Sequence, residues 1–175
     1  GVKKTSNFKD FDVLIICVST HRPDDIFSPQ VDGLMSVMEK ISREAKAGAL
    51  ISIESTIPKG TSKKVFEKVD HRLHVVHAPH RWYALEEQIH GVNQLRIIGG
   101  VSNCCLQHGL NFYAGTAGGS SSSSNGENNK EKEIGSSSSS IKVKVDNTIS
   151  LSIPMHPVSS IEVAELTKII ENSNR

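Results

Sequence analysis

An excess of charge of either sign is the first thing this sequence lacks. Twenty Lys and Arg against 19 Asp and Glu leave a net charge of +1 over 175 residues. That excludes a basic field for nucleic acid and an acidic one for a cationic partner. Cysteine is scarce, with only Cys17, Cys104 and Cys105 present. The adjacent pair is poorly set for a disulfide, and no Cys-x-x-Cys spacing marks a zinc site. This usage fits a reduced, cytoplasmic setting and predicts no metal. No apolar run is long enough to cross a bilayer, so no membrane partner is expected. A signal peptide, an initiator Met and an internal repeat are all missing, and the chain reads as a fragment beginning abruptly at Gly1. Hydrophobic residues make up 37 %, below the usual globular share, and a polar insert accounts for much of the deficit.

What is present alternates between strand and helix signals. The unbroken apolar run Asp12 to Val18 predicts a central parallel strand covered on both faces. Leu34, Val37, Met38, Ile41 and Ala45 recur at helical spacing, with Gly48 placed as a C-terminal cap. Ala49 to Ile53 is a second strand, followed by a helix over Ser62 to Val69 with Val65, Phe66 and Val69 inward. His74 to His77 and Arg96 to Ile98 predict two further strands, the latter ending at Gly99-Gly100. Val101 to Tyr113 predicts a helix with Leu106, Leu110 and Tyr113 on one face. This order argues for an α/β fold, a parallel sheet with crossover helices.

From Ala114 to about Ile141 the composition turns to serine runs around a charged, Asn-rich centre. Such a stretch buries too little apolar surface to offset its ordering entropy, so it reads as a disordered surface insertion acting as an inert spacer. Loop closure entropy grows slowly with length, so a domain tolerates it. Ile141 to Val145 alternates and predicts a strand returning to the sheet.

A last helix starts at Ser159 or Ser160, with Ser159 and Glu162 as a capping box. Val163, Leu166, Thr167 and Ile170 form its expected buried stripe. Lys168 and Asn172, four apart, lie together off that stripe. On residue type alone, Lys168 reads as a surface lysine paired with Glu165 or Glu171, and Thr56 as a threonine leading a helix. His77 and His80 suggest either a metal pair or, more simply, a hydrogen-bonded strand-end histidine. Of Trp82 and Tyr83, one is expected in the core and the other along a cleft. Arg22 and Arg81 either meet phosphate or are solvated.

Five segments, in order, resemble the UDP-glucose/GDP-mannose dehydrogenase family. They are Val13 to Thr20, Glu54-Ser-Thr-Ile-Pro-Lys-Gly-Thr61, Ala78-Pro-His-Arg81, Arg96-Ile-Ile-Gly-Gly100 and Ala164-Glu-Leu-Thr-Lys-Ile-Ile-Glu-Asn172. The branch acting on UDP-N-acetylmannosamine is the most similar. The resemblance covers nearly all of the chain outside the serine-rich insert. It implies the second half of a Rossmann-like NAD-binding domain over residues 1–158, interrupted at about 114–141. Residues 159–175 would then begin the long helix leading to a further domain. It also implies NAD as cofactor, a nucleotide sugar as substrate, a homo-oligomeric parent enzyme and oxidation of a sugar C6 hydroxyl to the carboxylate. Ser19, Thr20 and Thr56 fall at cofactor-contacting positions. Lys168 matches the lysine that stabilises the alkoxide as hydride leaves, and Asn172 the amide that helps hold a water or oxyanion.

The sequence also departs from the family pattern. The Gly-rich pyrophosphate turn and the acidic ribose ligand would lie upstream of Gly1, and the nucleophilic cysteine beyond Arg175. His80 stands where the family usually has a glutamate base, and a histidine also serves as a base near neutral pH. Ala84 occupies the place of a second acidic residue, with Glu86 and Glu87 close by. These changes point either to loss of the second oxidation or to a divergent subfamily with another substrate. The competing readings are a non-catalytic module that keeps only the scaffold, and an unrelated α/β nucleotide-binding fold.

Overall fold

In the computed structural model the described residues are 5–21, 24–25, 28–80, 94–114 and 153–174. Arg22, Arg81, Trp82, Tyr83, Ala84, Glu86 and Glu87 lie outside them, as do the serine-rich insert and the strand expected at Ile141 to Val145.

The elements run β1 (Val13–Ile16), α1 (Asp32–Glu44), β2 (Leu50–Ile53), α2 (Thr61–Lys68), β3 (His74–His77), β4 (Arg96–Gly100), α3 (Asn103–Ala114), β5 (Met155–Pro157) and α4 (Ile161–Ser173). The sheet order is β1-β2-β3-β4-β5. The fold is therefore α/β with a mostly parallel sheet, as expected. The exception is β4, which runs antiparallel to β3, with Val76 opposite Gly100 and His77 opposite Gly99. Strand β5 runs parallel to β4 and has no counterpart in the sequence reading, because three residues with a Pro carry little pattern.

Alternation along β2 and β3 separates two cores. Ile51, Ile53 and Val75 face Leu34, Met38 and Ile41 of α1 and Val65 of α2. Leu50 and Val76 face the other way, towards Ile98 and the α3 residues Cys105 and Tyr113. Each fully buried aliphatic side chain contributes about 1.5–3 kcal/mol. On α3 the inward residues are Cys105, Gly109 and Tyr113, while Leu106 and Leu110 are half-buried. A Cβ on Gly109 would stand 2.7 Å from Ile98 Cδ1, so the bare backbone lets the helix lie close on the sheet.

Three local expectations change. Helix α1 ends at Glu44, and Gly48 instead forms the left-handed turn (φ 80°) that leads into β2. Strand β1 is not covered on both faces, since Leu14 and Ile16 are buried but Ile15 is 47 % exposed. Among the described residues β1 pairs only with β2 and ends the sheet.

The third change concerns α4. Its buried residues are Ile161, Ala164, Glu165 and Lys168, whereas Val163, Leu166 and Ile170 are exposed. The expected apolar stripe therefore faces outward, and the inward face carries the charges. The N-cap is Ser160, whose Oγ accepts from the Val163 amide, so the Ser159 box is displaced by one residue. Close packing of α4 on β4 depends on Gly99, where a Cβ would meet the Ile161 Cα at 2.8 Å.

Candidate functional site

The carboxyl ends of β1 and β2 open into a bend built by Glu54-Ser55-Thr56-Ile57-Pro58. Ser55 clasps the two ends together. Its Oγ accepts from the Val18 amide at 2.7 Å and donates to the Val18 carbonyl at 2.8 Å. Just beyond, Thr20 Oγ1 donates to the Thr56 carbonyl at 2.7 Å, leaving the Thr56 hydroxyl to point elsewhere. That hydroxyl accepts from the Asn172 carboxamide of α4 at 3.2 Å. Gly60 then takes a left-handed conformation (φ 84°) and starts α2.

Glu165 holds α4 against this bend. Its carboxylate is fully buried and accepts from the Gly60 amide at 2.6 Å and the Ser62 amide at 2.8 Å. Those are two of the N–H groups that a helix start leaves without intrahelical partners. A carboxylate there is further favoured by the helix dipole. One turn along, Lys168 is 8 % exposed, so it is not a surface lysine. Its Nζ lies 3.8 Å from Glu171 Oε2. Glu165, the other partner considered for it, is committed to the start of α2.

Lys168 faces the ends of β3. His77 is fully buried, and neither ring nitrogen reaches a hydrogen-bond partner among the described residues. This overturns the expectation of a hydrogen-bonded strand-end histidine. Burial pushes its pKa down to about 4; a loose approach to the Ile53 carbonyl opposes the shift and the charge of Lys168 adds to it. His80 is half-buried, and its pKa is lowered first by burial, then by Arg96 and Lys168, against the pull of Glu54.

Beneath these residues lies a charged floor that sequence reasoning missed. Glu54 pairs with Arg96 at 3.1 Å, and both side chains are largely buried. Tyr113 donates to Glu54 Oε1 at 2.7 Å, and its hydroxyl sits 2.6 Å from Ser52 Oγ. Arg96 also donates to the Ala78 carbonyl and stacks its guanidinium 5.1 Å from the Tyr113 ring centroid. The signal was available in part, since Glu54 and Arg96 each open a segment that carries the resemblance. Nothing in the spacing pairs them, because the contact depends on β4 crossing beside β3.

In front of the bend is a cleft of about 340 Å³ lined by Thr20, His21, Ser28, Pro29, Thr56, Ile57, Pro58 and Ile169. It combines three hydroxyl-bearing side chains, Thr20, Ser28 and Thr56, with apolar walls, a mixture suited to a ring with a polar edge. Ser19 is exposed beside it, and its Oγ accepts only a long bond, 3.5 Å, from the His21 amide. The fold therefore brings Thr20, Thr56, Asn172, Lys168 and His80 to one edge of the sheet. Ser19 stands at the rim. Cys17 is exposed nearby, with a thiol pKa raised by partial burial and by Glu54, and so is a poor nucleophile.

Residues 2–116 match the NAD binding domain of the UDP-glucose/GDP-mannose dehydrogenase family. The chain belongs to that family. Among curated relatives, a UDP-N-acetyl-D-mannosamine dehydrogenase of Methanococcus maripaludis is 37 % identical over 94 residues, 52 % of this chain and 22 % of its own length. Its namesake from Pyrococcus horikoshii is 33 % identical over 107 residues, 57 % of this chain and 25 % of its own. The chain thus spans about a quarter of these relatives. A solved UDP-N-acetyl-mannosamine dehydrogenase from Staphylococcus aureus superposes with a TM-score of 0.65 at 25 % identity, covering 99 % of this chain and 36 % of that one. A UDP-D-ManNAc dehydrogenase structure from Pyrococcus horikoshii gives 0.67 at 24 % identity, over 95 % and 33 %. No helix among the described residues of this family member is long and apolar enough to cross a membrane.

Proposed function

We propose that this chain supplies the second half of the NAD-binding domain of an NAD-dependent nucleotide-sugar dehydrogenase. The parent protein would oxidise the C6 hydroxyl of a UDP-linked sugar towards the uronate. One observation carries the reading: α4 brings a buried lysine and an exposed carboxamide bonded to Thr56 to the carboxyl edge of a mostly parallel sheet, where doubly wound folds bind their ligands.

The residues present suit a nicotinamide. Thr20 and Thr56 offer hydroxyls along the cleft, Ser19 lies at its rim, and Pro29, Ile57 and Pro58 provide apolar walls. Bound there, the oxidised cofactor would accept a hydride from the sugar carbinol. The protein's own contribution is electrostatic and protonic. Loss of hydride leaves negative charge growing on the sugar oxygen, and the Lys168 ammonium, held in a poorly solvated place, stabilises it. Asn172, steadied by Thr56, offers its remaining polar capacity to the same oxygen or to a water. His80, whose pKa is lowered by burial and by the neighbouring cations Arg96 and Lys168, would be the proton acceptor at this edge.

The test is NADH formation by the parent enzyme with a UDP-sugar. Lys168→Ala should lower kcat by about 10²–10³, the usual cost of removing one transition-state charge stabiliser. An unchanged rate would remove Lys168 from its role. Counting NADH released per sugar distinguishes a two-step oxidation from one that stops at the aldehyde because His80 replaces a carboxylate.

A further inference from the structure

A second group of chemically capable side chains lies at the opposite edge of the sheet. His74 opens β3, and Cys104 and His108 sit on the first two turns of α3. His77, at the far end of β3, is three residues away, about 10 Å along the strand. Ligand atoms of His74, Cys104 and His108 all lie within 4.8 Å of one another. His74 Nδ1 is 4.0 Å from Cys104 Sγ, and the His74 and His108 rings stack with centroids 3.6 Å apart and planes 15° from parallel.

The local fold explains the convergence. A spacing of four puts Cys104 and His108 on one face of α3, one turn apart. The same helix lies tightly on the sheet through Gly109 and Gly100, which brings that face up to the start of β3. Cys105 turns into the core, where it is 2 % exposed, although its Sγ also comes within 3.8 Å of His74 Nδ1. Cys104 and His108 are exposed and His74 is half-buried, so the group is open to an ion from solvent.

We propose that His74, Cys104 and His108 form a zinc(II) site, with water in the fourth position, that ties α3 to the amino-terminal edge of the sheet. Two imidazoles and a thiolate are a borderline-soft donor set that zinc accepts in tetrahedral geometry. Zinc bonds of about 2.0–2.3 Å would hold the donor atoms about 3.5 Å apart, so small side-chain rotations close the site. Binding replaces the Cys104 thiol proton by the metal and releases that proton to solvent. The cleft at the carboxyl edge takes no part.

The probe is zinc itself, titrated into the 175-residue chain against a chromophoric chelator, with cobalt(II) as a spectroscopic stand-in. One equivalent should bind. The cobalt form should show a thiolate charge-transfer band and tetrahedral visible bands. His74→Ala, Cys104→Ser and His108→Ala should each weaken binding at least tenfold, whereas Cys105→Ser, Cys17→Ser and His156→Ala leave it unchanged. In the unaltered chain, zinc should shield Cys104 but not Cys17 from alkylation, a readout that needs no variant to fold. Failure to bind, a cobalt spectrum without thiolate, undiminished alkylation of Cys104, or dependence on Cys105 in place of Cys104 would each overturn the assignment.

Discussion

The Asn172 carboxamide donates to the Thr56 hydroxyl across 3.2 Å, joining residues 116 positions apart. The bond couples the end of α4 to the bend after β2, so the two side chains should act together in catalysis. In the parent enzyme, Asn172→Ala and Thr56→Val should each lower kcat/KM about tenfold or more. The double variant should lose less than the product of the two. Steady-state rates around this cycle measure the coupling, and strictly multiplicative losses would mean that the bond is idle.

Glu165 should matter more for stability than any exposed carboxylate. Glu165→Ala leaves two amides at the start of α2 without their charged acceptor, a loss of about 2–4 kcal/mol. Urea unfolding of the chain reads this directly. Glu162 pairs with Lys63 at the surface, and Glu162→Ala should cost under about 1 kcal/mol.

Acid should destabilise the protein through His77. Its pKa is about 4 when folded, against 6.5 for the free side chain, so the unfolded chain binds the extra proton between those values. The stability associated with a neutral His77 is complete above pH 6.5 and is lost as pH falls towards 4. The loss amounts to about 3 kcal/mol. Comparing urea midpoints at pH 7 and 5 for the chain and for His77→Gln isolates this part, because the variant should lack it while keeping the carboxylate contribution.

The free side of β1 should make the isolated chain self-associate. Ile15 is 47 % exposed and Phe11 42 %, beside a strand paired on one side only among the described residues. Sedimentation at rising concentration should show dimers or larger species, and Ile15→Lys should reduce them. A clean monomer at high concentration would contradict this.

Gly99→Ala should push α4 away from β4, since the added carbon would fall 2.8 Å from the Ile161 backbone. We expect a loss of about 1–3 kcal/mol in the chain and a larger proportional fall in parent activity, because Lys168 and Asn172 move with the helix.

Much of the fold was legible because α1, α2, β2 and β3 follow simple rules. Leu34, Met38 and Ile41 keep helical spacing, and Leu50, Ile51 and Ile53 make a short apolar strand broken only by Ser52. The reversal of β4 was not legible, because a short apolar run such as Arg96-Ile97-Ile98 carries no mark of strand direction. The face of α4 was misjudged for a physical reason. Periodicity assumes that apolar residues go inward, yet Glu165 and Lys168 are drawn in by specific partners. Gathering Thr20, Thr56, Lys168 and Asn172 on one edge was foreseeable only through the resemblance, whereas the Glu54, Arg96 and Tyr113 floor required the three-dimensional path of the chain.

A helix that keeps its carboxylate inside and its aliphatic rib outside cannot be seated by oiliness alone. Greasy surfaces tolerate sliding and rolling, but directed bonds do not. A roll of α4 by one residue, about 100°, would swing Glu165 out of reach of both amides it serves. The azimuth of Lys168 is therefore set by a latch one turn earlier, the Glu165 carboxylate on the start of α2.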